Sequence, residues 1–509
     1  MSTEIRADII IVGAGFSGCY ALHKLRQMGY TVKILEASTG FGGVWRINRY
    51  PGARVDTETP TYQLCLPEVW QGFNFSERYP DHVELRRYFD HMDKVLDLQK
   101  DTYFNARVEE VRYDPENNTW TFRAKGLNAI STYAVFAVGA SCDSYIPDWP
   151  GKSSFKGQLI HPASWPEDFD PQGKKIGVIG QGASGLQIVQ ELAKESCELS
   201  VFIRIPCTGF PMNQKAISID ESNNLKSYYD AILGCAKHNT ETRYPYNRNQ
   251  CNWADATEEE RQRLYEWLWQ RGGFVFMTNN YRDFMTNKAA NAKSVDRANV
   301  TLVDLKEMPI QEFTADGVVT GNKDTSKLWE LDVIVVATGY DNLTGSLFKM
   351  NIHSKDGVKL QDKWENGIST YLGMTVPGFP NAFFLYAPQA PSSIVNGPPF
   401  IELQVDWLTR LLEKLRNENI KSIEASEKAA EVWKKLVWST FRMTLSAETD
   451  SWWVGANIPG KKRKLLVWFG GIQSWWNKCQ NALQGWENSG FVLGMSNAVH
   501  YEVAYQGLV

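Results

Sequence analysis

The sequence predicts an α/β protein with two Rossmann-like dinucleotide-binding domains, and two glycine-rich segments are the main reason. The first segment reads Gly13-Ala14-Gly15-Phe16-Ser17-Gly18 and the second reads Gly180-Gln181-Gly182-Ala183-Ser184-Gly185. Each one follows a short apolar stretch and precedes a stretch with helical spacing. This order of strand, glycine turn and helix is typical of a dinucleotide-binding unit. Two such units in one chain indicate a protein that moves electrons between two bound dinucleotides.

The first unit combines a strand, a helix and a second strand that ends in an acid. We predict a buried strand over residues 7–12, a helix over 17–28 and a strand over 31–35, followed by Glu36. The glycines allow a tight turn in which backbone N–H groups approach a pyrophosphate. Glu36 is then expected to accept hydrogen bonds from an adenosine ribose. A glycine turn without a ligand is the alternative, which the flanking strands disfavour.

The second unit has the same order but ends in a base. We predict a strand over residues 175–179, the glycine loop over 180–185, a helix over 186–193 and a strand over 199–203. That last strand ends at Arg204, whose guanidinium would attract a 2′-phosphate. This favours NADP over NAD at the second site, and a surface arginine at a strand end is the alternative.

Two further apolar strands indicate how the domains are connected. Residues 133–139 and 333–339 each end in a glycine, and the second contains Ala-Thr-Gly, a sequence that returns the chain to the flavin domain in two-dinucleotide flavoproteins. We therefore predict a discontinuous FAD-binding domain with an inserted NADP-binding domain. The FAD-binding parts are residues 1–145 and 335–509, and the inserted domain covers 150–330 with a helical excursion at about 215–292.

Composition excludes several other classes. The chain has 509 residues and a formal net charge of −4, which gives no reason to expect nucleic acid or an anionic membrane as a partner. Its eight cysteines form no C-x-x-C motif, which argues against a disulfide reductase and favours a reducing compartment. The sequence shows no secretory signal and no apolar run near the roughly 20 residues that span a bilayer. We expect a cytoplasmic protein without a metal site, and no feature indicates an oligomeric state.

Three longer stretches are more specific than the glycine turns. Residues 42–56 begin Gly42-Gly43-Val44-Trp45 and contain Tyr50-Pro51-Gly52, residues 155–166 end in Trp165-Pro166, and residues 451–461 begin Ser451-Trp452-Trp453. Together they resemble the Baeyer–Villiger monooxygenases, a branch of the class B flavoprotein monooxygenases. Residues 42–56 match the family pattern G-G-x-W-x-x-x-x-Y-P-G-x-x-x-D, and residues 155–166 match F-x-G-x-x-x-H-x-x-x-W-P.

The resemblance implies a specific reaction. NADPH reduces FAD, the reduced flavin adds O2 to form a C4a-peroxyflavin, and this peroxide attacks a ketone to give an ester or lactone. The partners implied are therefore a small-molecule ketone and O2. One pocket loop differs from the family, since Gly397 follows Asn396 where a Met is common, and this wider pocket favours bulky secondary-metabolite ketones.

The resemblance also implies roles for individual residues. Asp56 is expected near the reacting centre, where its carboxylate would tune protonation, and a turn-capping acid is the alternative. His161 is interpreted as a structural residue of the linker between domains rather than as a general base. The residues implied to line FAD are Gly13, Gly15, Gly18, Glu36, Val44, Trp45, Asp56, Tyr62 and Val108. Those implied to line NADP are Arg54, Gly180, Gln181, Gly182, Ala183, Ser184, Gly185, Arg204 and Trp452.

One segment departs from the family. Most members carry a Lys-Arg-Pro stretch whose Arg approaches the flavin, and here only residues 292–295 separate the patterns that flank it. The family's catalytic Arg is therefore not found, and neither Lys293 nor Arg297 is assigned its role. Losing a cation beside a developing oxyanion typically costs about 10²–10⁵ in rate.

Three hypotheses follow from these matches and this gap. The first is a ketone monooxygenase of Baeyer–Villiger type. The second is a heteroatom oxygenase or an uncoupled NADPH oxidase that has lost ketone chemistry. The third is a catalytically silent FAD-binding variant, which the retention of both glycine fingerprints disfavours.

Overall fold

The computed structural model describes residues 3–204, 209–246, 249–288, 303–322, 325–392, 395–487, 489–494 and 500–502. Its strands are β1 (Thr3–Val12), β2 (Val32–Leu35), β3 (Thr102–Tyr103), β4 (Val108–Asp114), β5 (Thr119–Ala124), β6 (Leu127–Phe136), β7 (Gln158–Ile160), β8 (Lys175–Ile179), β9 (Glu198–Ile203), β10 (Val303–Asp304), β11 (Ile310–Phe313), β12 (Gly317–Gly321), β13 (Ser326–Glu330), β14 (Val333–Val336), β15 (Ile352–His353), β16 (Ala382–Phe384), β17 (Ser422–Ala425), β18 (Phe491–Gly494) and β19 (His500–Glu502).

The helices lie mainly at the sheet faces and in the connection between β9 and β10. They are α1 (Phe16–Gln27), α2 (Val44–Ile47), α3 (Pro67–Trp70), α4 (His82–Leu96), α5 (Ala183–Leu192), α6 (Ile219–Lys226), α7 (Tyr229–His238), α8 (Glu258–Arg271), α9 (Val275–Thr278), α10 (Gly345–Lys349), α11 (Leu360–Lys363), α12 (Gly397–Asn417), α13 (Glu427–Arg442) and α14 (Ile472–Gln484). None of the helices within the described ranges has both the length and the apolar character needed to cross a bilayer.

The first sheet contains strands from both ends of the chain. Within the described residues it has eight strands in the order β15-β4-β5-β6-β1-β2-β3, and β16 also pairs with β6. β1 lies between β2 and β6 and runs parallel to both. Ile9 and Ile11 pack into one core cluster, while Ile10 packs into another on the opposite face. The apolar run of β1 is continuous because both faces of this sheet are covered.

The second sheet is parallel throughout and contains the second glycine segment. Over the part of the chain that the structure describes, it has five strands in the order β10-β9-β8-β14-β7. β8 lies between β9 and β14, and α5 follows β8 directly. This is the βαβ arrangement predicted for residues 175–203. Two small antiparallel sheets, β11-β12-β13 and β17-β18-β19, complete the described strands.

Several predicted boundaries shift for identifiable reasons. α1 and α5 begin at Phe16 and Ala183, inside the glycine segments, because Gly15 and Gly182 are the extended N-cap residues. The strand predicted over 133–139 is β6 at Leu127–Phe136, since its first half pairs with β5 and its predicted end leaves the sheet. β14 likewise ends at Val336. The predicted excursion contains α6 to α9, and its last residues, 289–292, lie outside the described residues.

The two connections between the sheets run side by side. The Tyr145 N–H donates to the Gly339 carbonyl at 3.0 Å, and the Asp341 N–H donates to the Asp143 carbonyl at 2.8 Å. The Thr338 hydroxyl also donates to the Tyr145 carbonyl, at 2.6 Å. Residues 139–145 and 338–343, called the two linkers below, therefore form a paired crossing between the sheets.

Candidate active site

The first glycine turn has space only where a pyrophosphate would approach. A Cβ on Gly13 would lie 2.5 Å from the Ala137 carbonyl oxygen, and one on Gly18 would lie 1.9 Å from the Gly13 carbonyl oxygen. A Cβ on Gly15 meets only an ordinary contact, 3.5 Å from the Cα of Gly43. The first and third glycines are thus required by packing, and the second keeps the backbone at the start of α1 open. This geometry fits a dinucleotide cradle.

Glu36 lies beside this turn. Its side chain is buried, and its two carboxylate oxygens accept from the Ala14 N–H at 2.6 Å and from the Ser38 N–H at 2.7 Å. Both bonds fix the carboxylate beside the glycine turn. Val108, at the start of β4, is buried in the same apolar cluster as Leu35, the residue that precedes Glu36.

Val44 and Trp45 form the first turn of α2, and both are half-buried. A Cβ on Gly43 would lie 3.0 Å from the Cα of Gly15, so α2 begins against the first glycine turn. The Trp45 indole N–H donates to the Tyr62 hydroxyl at 3.1 Å, and the two rings meet edge to face at 5.9 Å. The structure therefore brings Trp45 and Tyr62 together beside the turn that Gly15 keeps open.

Asp56 has an exposed surface and lies near the side chains of Tyr244 and Tyr386. It retains solvent-exposed surface, yet enough protein surrounds its carboxyl that burial raises its pKa. Burial first and the Asp56 charge second also raise the pKa values of Tyr244 and Tyr386. The hydroxyl groups of Thr57 and Tyr244 are hydrogen-bonded at 3.0 Å. A carboxyl whose pKa is raised and whose surface remains exposed can hold or release a proton to a bound ligand.

Arg54 contacts both halves of the fold. Its guanidinium pairs with Glu77 at 3.1 Å and donates to the Tyr79 carbonyl at 3.3 Å. Its own carbonyl accepts from the Gln187 side chain at 3.1 Å, on α5. Because Glu77 already neutralises the guanidinium, an anionic ligand would compete with that carboxylate.

The second glycine turn repeats the packing of the first. A Cβ on Gly180 would lie 2.4 Å from the Ala337 carbonyl oxygen, and one on Gly185 would lie 2.1 Å from the Gly180 carbonyl oxygen. A Cβ on Gly182 meets no described atom within 4 Å. The Gln181 side-chain oxygen is buried and, among the described residues, has no hydrogen-bond partner. An open glycine beside an unpartnered polar atom fits a second dinucleotide cradle.

The remaining residues of the second turn are partly exposed, and one of them contacts the first half of the chain. Gly182 and Ala183 are exposed. The Ser184 hydroxyl donates to the Tyr50 hydroxyl at 3.1 Å. This bond links the second fingerprint to the Tyr50-Pro51-Gly52 segment, a contact that sequence reasoning missed.

Arg204 and Trp452 are the last predicted cofactor residues. Arg204 is exposed at the end of β9 and forms no ion pair with any described residue. Trp452 is half-buried in a single 3₁₀ turn, Trp452–Val454, and packs against the core cluster that contains Val12 and Phe136. No hydrogen bond or ion pair joins Arg54, Arg204 and Trp452 within the ranges that the structure describes.

His161 makes two hydrogen bonds at the start of the inserted segment. Its Nε2–H donates to the Gly339 carbonyl at 3.1 Å, and its Nδ1 accepts from the Ala163 N–H at 3.1 Å. Burial lowers its pKa, which favours the neutral ring that these bonds require. The structure thus places His161 directly after β7, hydrogen-bonded to Gly339 of the second linker. Residues 292–295, Lys293 and Arg297 lie outside the described residues.

Comparison with known proteins gives the family. A model described as flavin-binding monooxygenase-like matches residues 6–355. The FAD-binding monooxygenase acrE of Aspergillus aculeatus is 35% identical over 94% of this chain and 88% of its own length. Cyclopentanone 1,2-monooxygenase of Comamonas sp. is 35% identical over 91% of this chain and 92% of its own length. The chain belongs to the Baeyer–Villiger branch of the flavin-binding monooxygenases.

Solved structures of Baeyer–Villiger enzymes share the fold of this monooxygenase. Cyclohexanone monooxygenase from Rhodococcus sp. Phi1 bound to NADP+ has a TM-score of 0.91 and 32% identity, covering 97% of this chain and 100% of that one. OTEMO in complex with FAD and NADP has a TM-score of 0.88 and 31% identity, covering 96% and 99%. These neighbours confirm the prediction of an α/β monooxygenase with two dinucleotide-binding domains.

Proposed function

We propose that this monooxygenase binds FAD and NADPH and inserts one oxygen atom of O2 into a ketone, giving an ester or lactone. The observation that carries the proposal is the pair of glycine turns, each closed by packing at its first and third glycine and open at its second. The relatives' names support the substrate class, since they include cyclopentanone 1,2-monooxygenase and cyclohexanone 1,2-monooxygenase. When bound, the flavin would supply electron transfer and oxygen activation.

The first turn is the proposed FAD site. Gly15 would let the N-terminus of α1 approach the pyrophosphate, and Glu36 would accept from the adenosine ribose. Trp45 and Tyr62 would exclude water from the reacting end of the cofactor, because their rings are large and already hydrogen-bonded to each other. The proposed FAD residues are Gly13, Gly15, Gly18, Glu36, Val44, Trp45, Asp56, Tyr62 and Val108.

The second turn is the proposed NADP site. Arg204 is exposed and unpaired within the described chain, so its guanidinium is available to a 2′-phosphate. Gln181 would gain a partner for its buried side-chain oxygen, which has none among the described residues. The proposed NADP residues are Arg54, Gly180, Gln181, Gly182, Ala183, Ser184, Gly185, Arg204 and Trp452.

Asp56 is the proposed catalytic residue. Its raised pKa and its exposed surface support a group that exchanges a proton with a bound ligand. In this role its carboxyl would set the protonation state at the reacting centre without forming a bond to the substrate.

The strand pairing supports the proposed domain division, except that Val335 and Val336 at the end of β14 pair within the second sheet. Residues 1–145 and 335–509 would form the FAD-binding domain, and residues 150–330 the NADP-binding domain. The pairing of β15 with β4 and of β16 with β6 supports this division. We also propose a cytoplasmic location, supported by the free thiols of Cys19, Cys65, Cys142, Cys197, Cys235, Cys251 and Cys479.

Heteroatom oxygenation is the second candidate. Phenazine N-monooxygenase PhzNO1 of Lysobacter antibioticus is 32% identical over 96% of this chain and 97% of its own length. A protein this similar carries the name of a nitrogen oxygenase, so the fold alone does not select ketones.

The test uses the purified holoenzyme with NADPH, ¹⁸O2 and a panel of cyclic ketones, amines and thioethers. We expect one ¹⁸O atom in an ester or lactone, detected by mass spectrometry, with NADPH consumed in proportion. Labelled N-oxides or sulfoxides without any ester would favour the second candidate. Hydrogen peroxide as the sole product would indicate an uncoupled oxidase, and a colourless protein that takes up no FAD would overturn both candidates.

A further inference from the structure

We infer that Tyr340 is a positioning residue that joins three parts of the candidate site. These parts are α2, which carries Trp45, the paired linkers, and residues 451–461, called the C-terminal loop below, which carry Trp452. The inference rests on the proposed function, because it concerns how the two cofactor sites are held in register. Tyr340 lies outside every signature that identified the family.

The hydroxyl of Tyr340 is hydrogen-bonded to the end of α2. It donates to the Asn48 side-chain oxygen at 2.6 Å, and Asn48 is the residue that ends α2. Tyr340 is 8% exposed and Asn48 is 7% exposed, so neither group can exchange its partner for bulk water without a rearrangement. Leaving such a buried pair unmade costs about 1–3 kcal/mol. Tyr340 therefore holds the end of α2 against the linkers.

The ring of Tyr340 packs next to the linkers. It meets the His161 ring edge to face at 5.3 Å, while His161 donates to the carbonyl of Gly339, the residue before Tyr340. Tyr340 also forms an antiparallel bridge with Ser144 on the other linker. Tyr340 therefore contacts His161, near the start of the inserted segment, and Ser144, on the linker that leads into it.

The main chain of Tyr340 is hydrogen-bonded to the C-terminal loop. Its carbonyl accepts from the Asn457 side chain at 3.0 Å. The next residue, Asp341, pairs with Lys461 at 2.5 Å, and Lys461 also contacts the Thr344 hydroxyl at 3.2 Å. The loop that carries Trp452 is therefore anchored to the linker at two adjacent positions.

These contacts make one residue a shared support for both tryptophans. A rotation of the inserted segment about the linkers would either move Asn48 and Asn457 together with Tyr340 or break the buried bond to Asn48 and the half-buried bond to Asn457. Binding of NADP+ to the second glycine turn would then alter the position of α2 without direct contact. Trp45 and Trp452 would change position as a pair, which keeps water excluded while electrons move between the two sites.

The experiment compares Tyr340→Phe with Tyr113→Phe in the FAD-loaded enzyme. Tyr113 donates to Asn118 within the β4–β5 hairpin, so both variants lose one tyrosine–asparagine hydrogen bond, but only Tyr340 touches the linkers. Hydrogen exchange is measured over residues 44–48 and 451–461, with and without NADP+. Hydrogen peroxide formed per NADPH consumed is measured in parallel, and Asn457→Ala serves as a second variant that breaks the loop contact alone.

We expect NADP+ to protect residues 44–48 from hydrogen exchange in wild type and in Tyr113→Phe. In Tyr340→Phe these residues should lose at least about half of that protection. Peroxide per NADPH should rise about threefold or more in Tyr340→Phe and in Asn457→Ala. Equal protection and equal peroxide in Tyr340→Phe and Tyr113→Phe would overturn the inference. If wild type consumes no NADPH, the proposed function fails, while the exchange measurement still tests Tyr340.

Discussion

The Ser184 hydroxyl donates to the Tyr50 hydroxyl across the boundary between the two dinucleotide units, at 3.1 Å. Tyr50 in turn donates to the Gln187 side chain at 3.0 Å, one turn further along α5. A Cβ on Gly52 would lie 2.9 Å from the Gln187 carbonyl oxygen, so the Tyr50-Pro51-Gly52 segment packs directly on that helix. The family signature around Tyr50 thus packs the first unit onto the end of the second glycine turn and the first turns of α5.

This contact predicts that Tyr50→Phe weakens NADP+ binding. Each neutral hydrogen bond contributes about 0.5–1.5 kcal/mol, which corresponds to roughly a 2- to 10-fold rise in the NADP+ dissociation constant. FAD affinity should not change. A double-mutant cycle with Ser184→Ala isolates the pair, and strictly additive effects would show that the two hydroxyl groups do not cooperate.

Substitutions at Gly182 and Gly180 in the second turn should have different effects, the first on NADP+ binding and the second on folding stability. Gly182 has φ −73° and open space at its Cβ, so Gly182→Ala should stay within about 1 kcal/mol of wild-type stability. The new methyl group would stand where a pyrophosphate approaches, and NADP+ binding should weaken about 10- to 100-fold. Isothermal titration of the FAD-loaded enzyme measures this change.

Gly180→Ala is the matched comparison. Gly180 has φ +105°, and its Cβ would lie 2.4 Å from the Ala337 carbonyl oxygen. This substitution should cost about 1–3 kcal/mol of folding stability from backbone strain alone. Similar melting temperatures for the two variants, or unchanged NADP+ affinity in Gly182→Ala, would contradict the assignment of the open position.

Arg204 should decide the choice between the two pyridine nucleotides. Because it is exposed and unpaired within the described chain, Arg204→Gln removes a charge-assisted contact worth about 1.5–3 kcal/mol to a 2′-phosphate. The preference for NADPH over NADH, measured as the ratio of kcat/KM values, should fall about 10- to 100-fold. Arg123→Gln on the first sheet, also exposed, controls for loss of charge. An equal loss with NADPH and NADH would assign Arg204 to another part of the cofactor.

Local patterns predicted the βαβ units, because strand, glycine turn and helix follow one another within about 30 residues. The two sets of glycines therefore lie between a strand and a helix, as the sequence indicated, and Glu36 directly follows β2. The exact helix starts were missed, since an extended glycine N-cap carries no side chain to mark it. The strand over 133–139 was shifted because its antiparallel partner β5 could not be assigned to it from spacing alone.

The contacts that hold the units together were not predictable in this way. Tyr340 and Asn48 are 292 positions apart, and Tyr50 and Ser184 are 134 apart. A tyrosine or an asparagine in a loop has no periodicity that reveals its partner. The signature around His161 marked a linker, and only the fold shows that the ring of His161 packs on Tyr340.

The raised pKa of Asp56 predicts a pH-dependent stability. Burial makes the folded protein retain the Asp56 proton to a higher pH than the unfolded chain does. As pH rises from the ordinary aspartate range through the raised pKa of Asp56, the ionisation of this group therefore lowers the free energy of unfolding. Asp56→Asn lacks this loss, so its thermal midpoint should exceed that of wild type by a margin that widens over that window.

Unfolding midpoints measured between about pH 4 and pH 8 check this expectation. Asp148→Asn, whose side chain is 99% exposed, controls for loss of a carboxylate. A margin that stays constant or narrows as pH rises would show that the Asp56 carboxyl is not desolvated in the folded protein. Asp56→Asn should also lower the rate of product formation, because its amide cannot exchange a proton.

A buried ion network connects the excursion to the FAD side of the molecule. Lys237 on α7 pairs with Glu402 at 2.7 Å and with Asp406 at 2.8 Å, both on α12, and Tyr20 on α1 donates to Asp406 at 2.8 Å. The Glu402 side chain is 1% exposed. Lys237→Met leaves this carboxylate unpaired and should cost about 3–5 kcal/mol.

Removing both charges should restore part of that loss. The double variant Lys237→Met with Glu402→Gln should have a higher thermal midpoint than Lys237→Met alone, because the uncompensated buried charge is gone. Calorimetry of the holoenzyme measures both midpoints. A Lys237→Met midpoint equal to that of wild type would show that water reaches Glu402.

The side-by-side pairing of the two linkers has a consequence for protein engineering. Because the entry at Tyr145 and the exit at Gly339 are hydrogen-bonded to each other, the chain between them begins and ends at almost one point. Such a segment can be removed and the two remaining ends of the FAD-binding domain still lie close together. The pyridine-nucleotide module of a relative could be transplanted at these two positions with no added spacer.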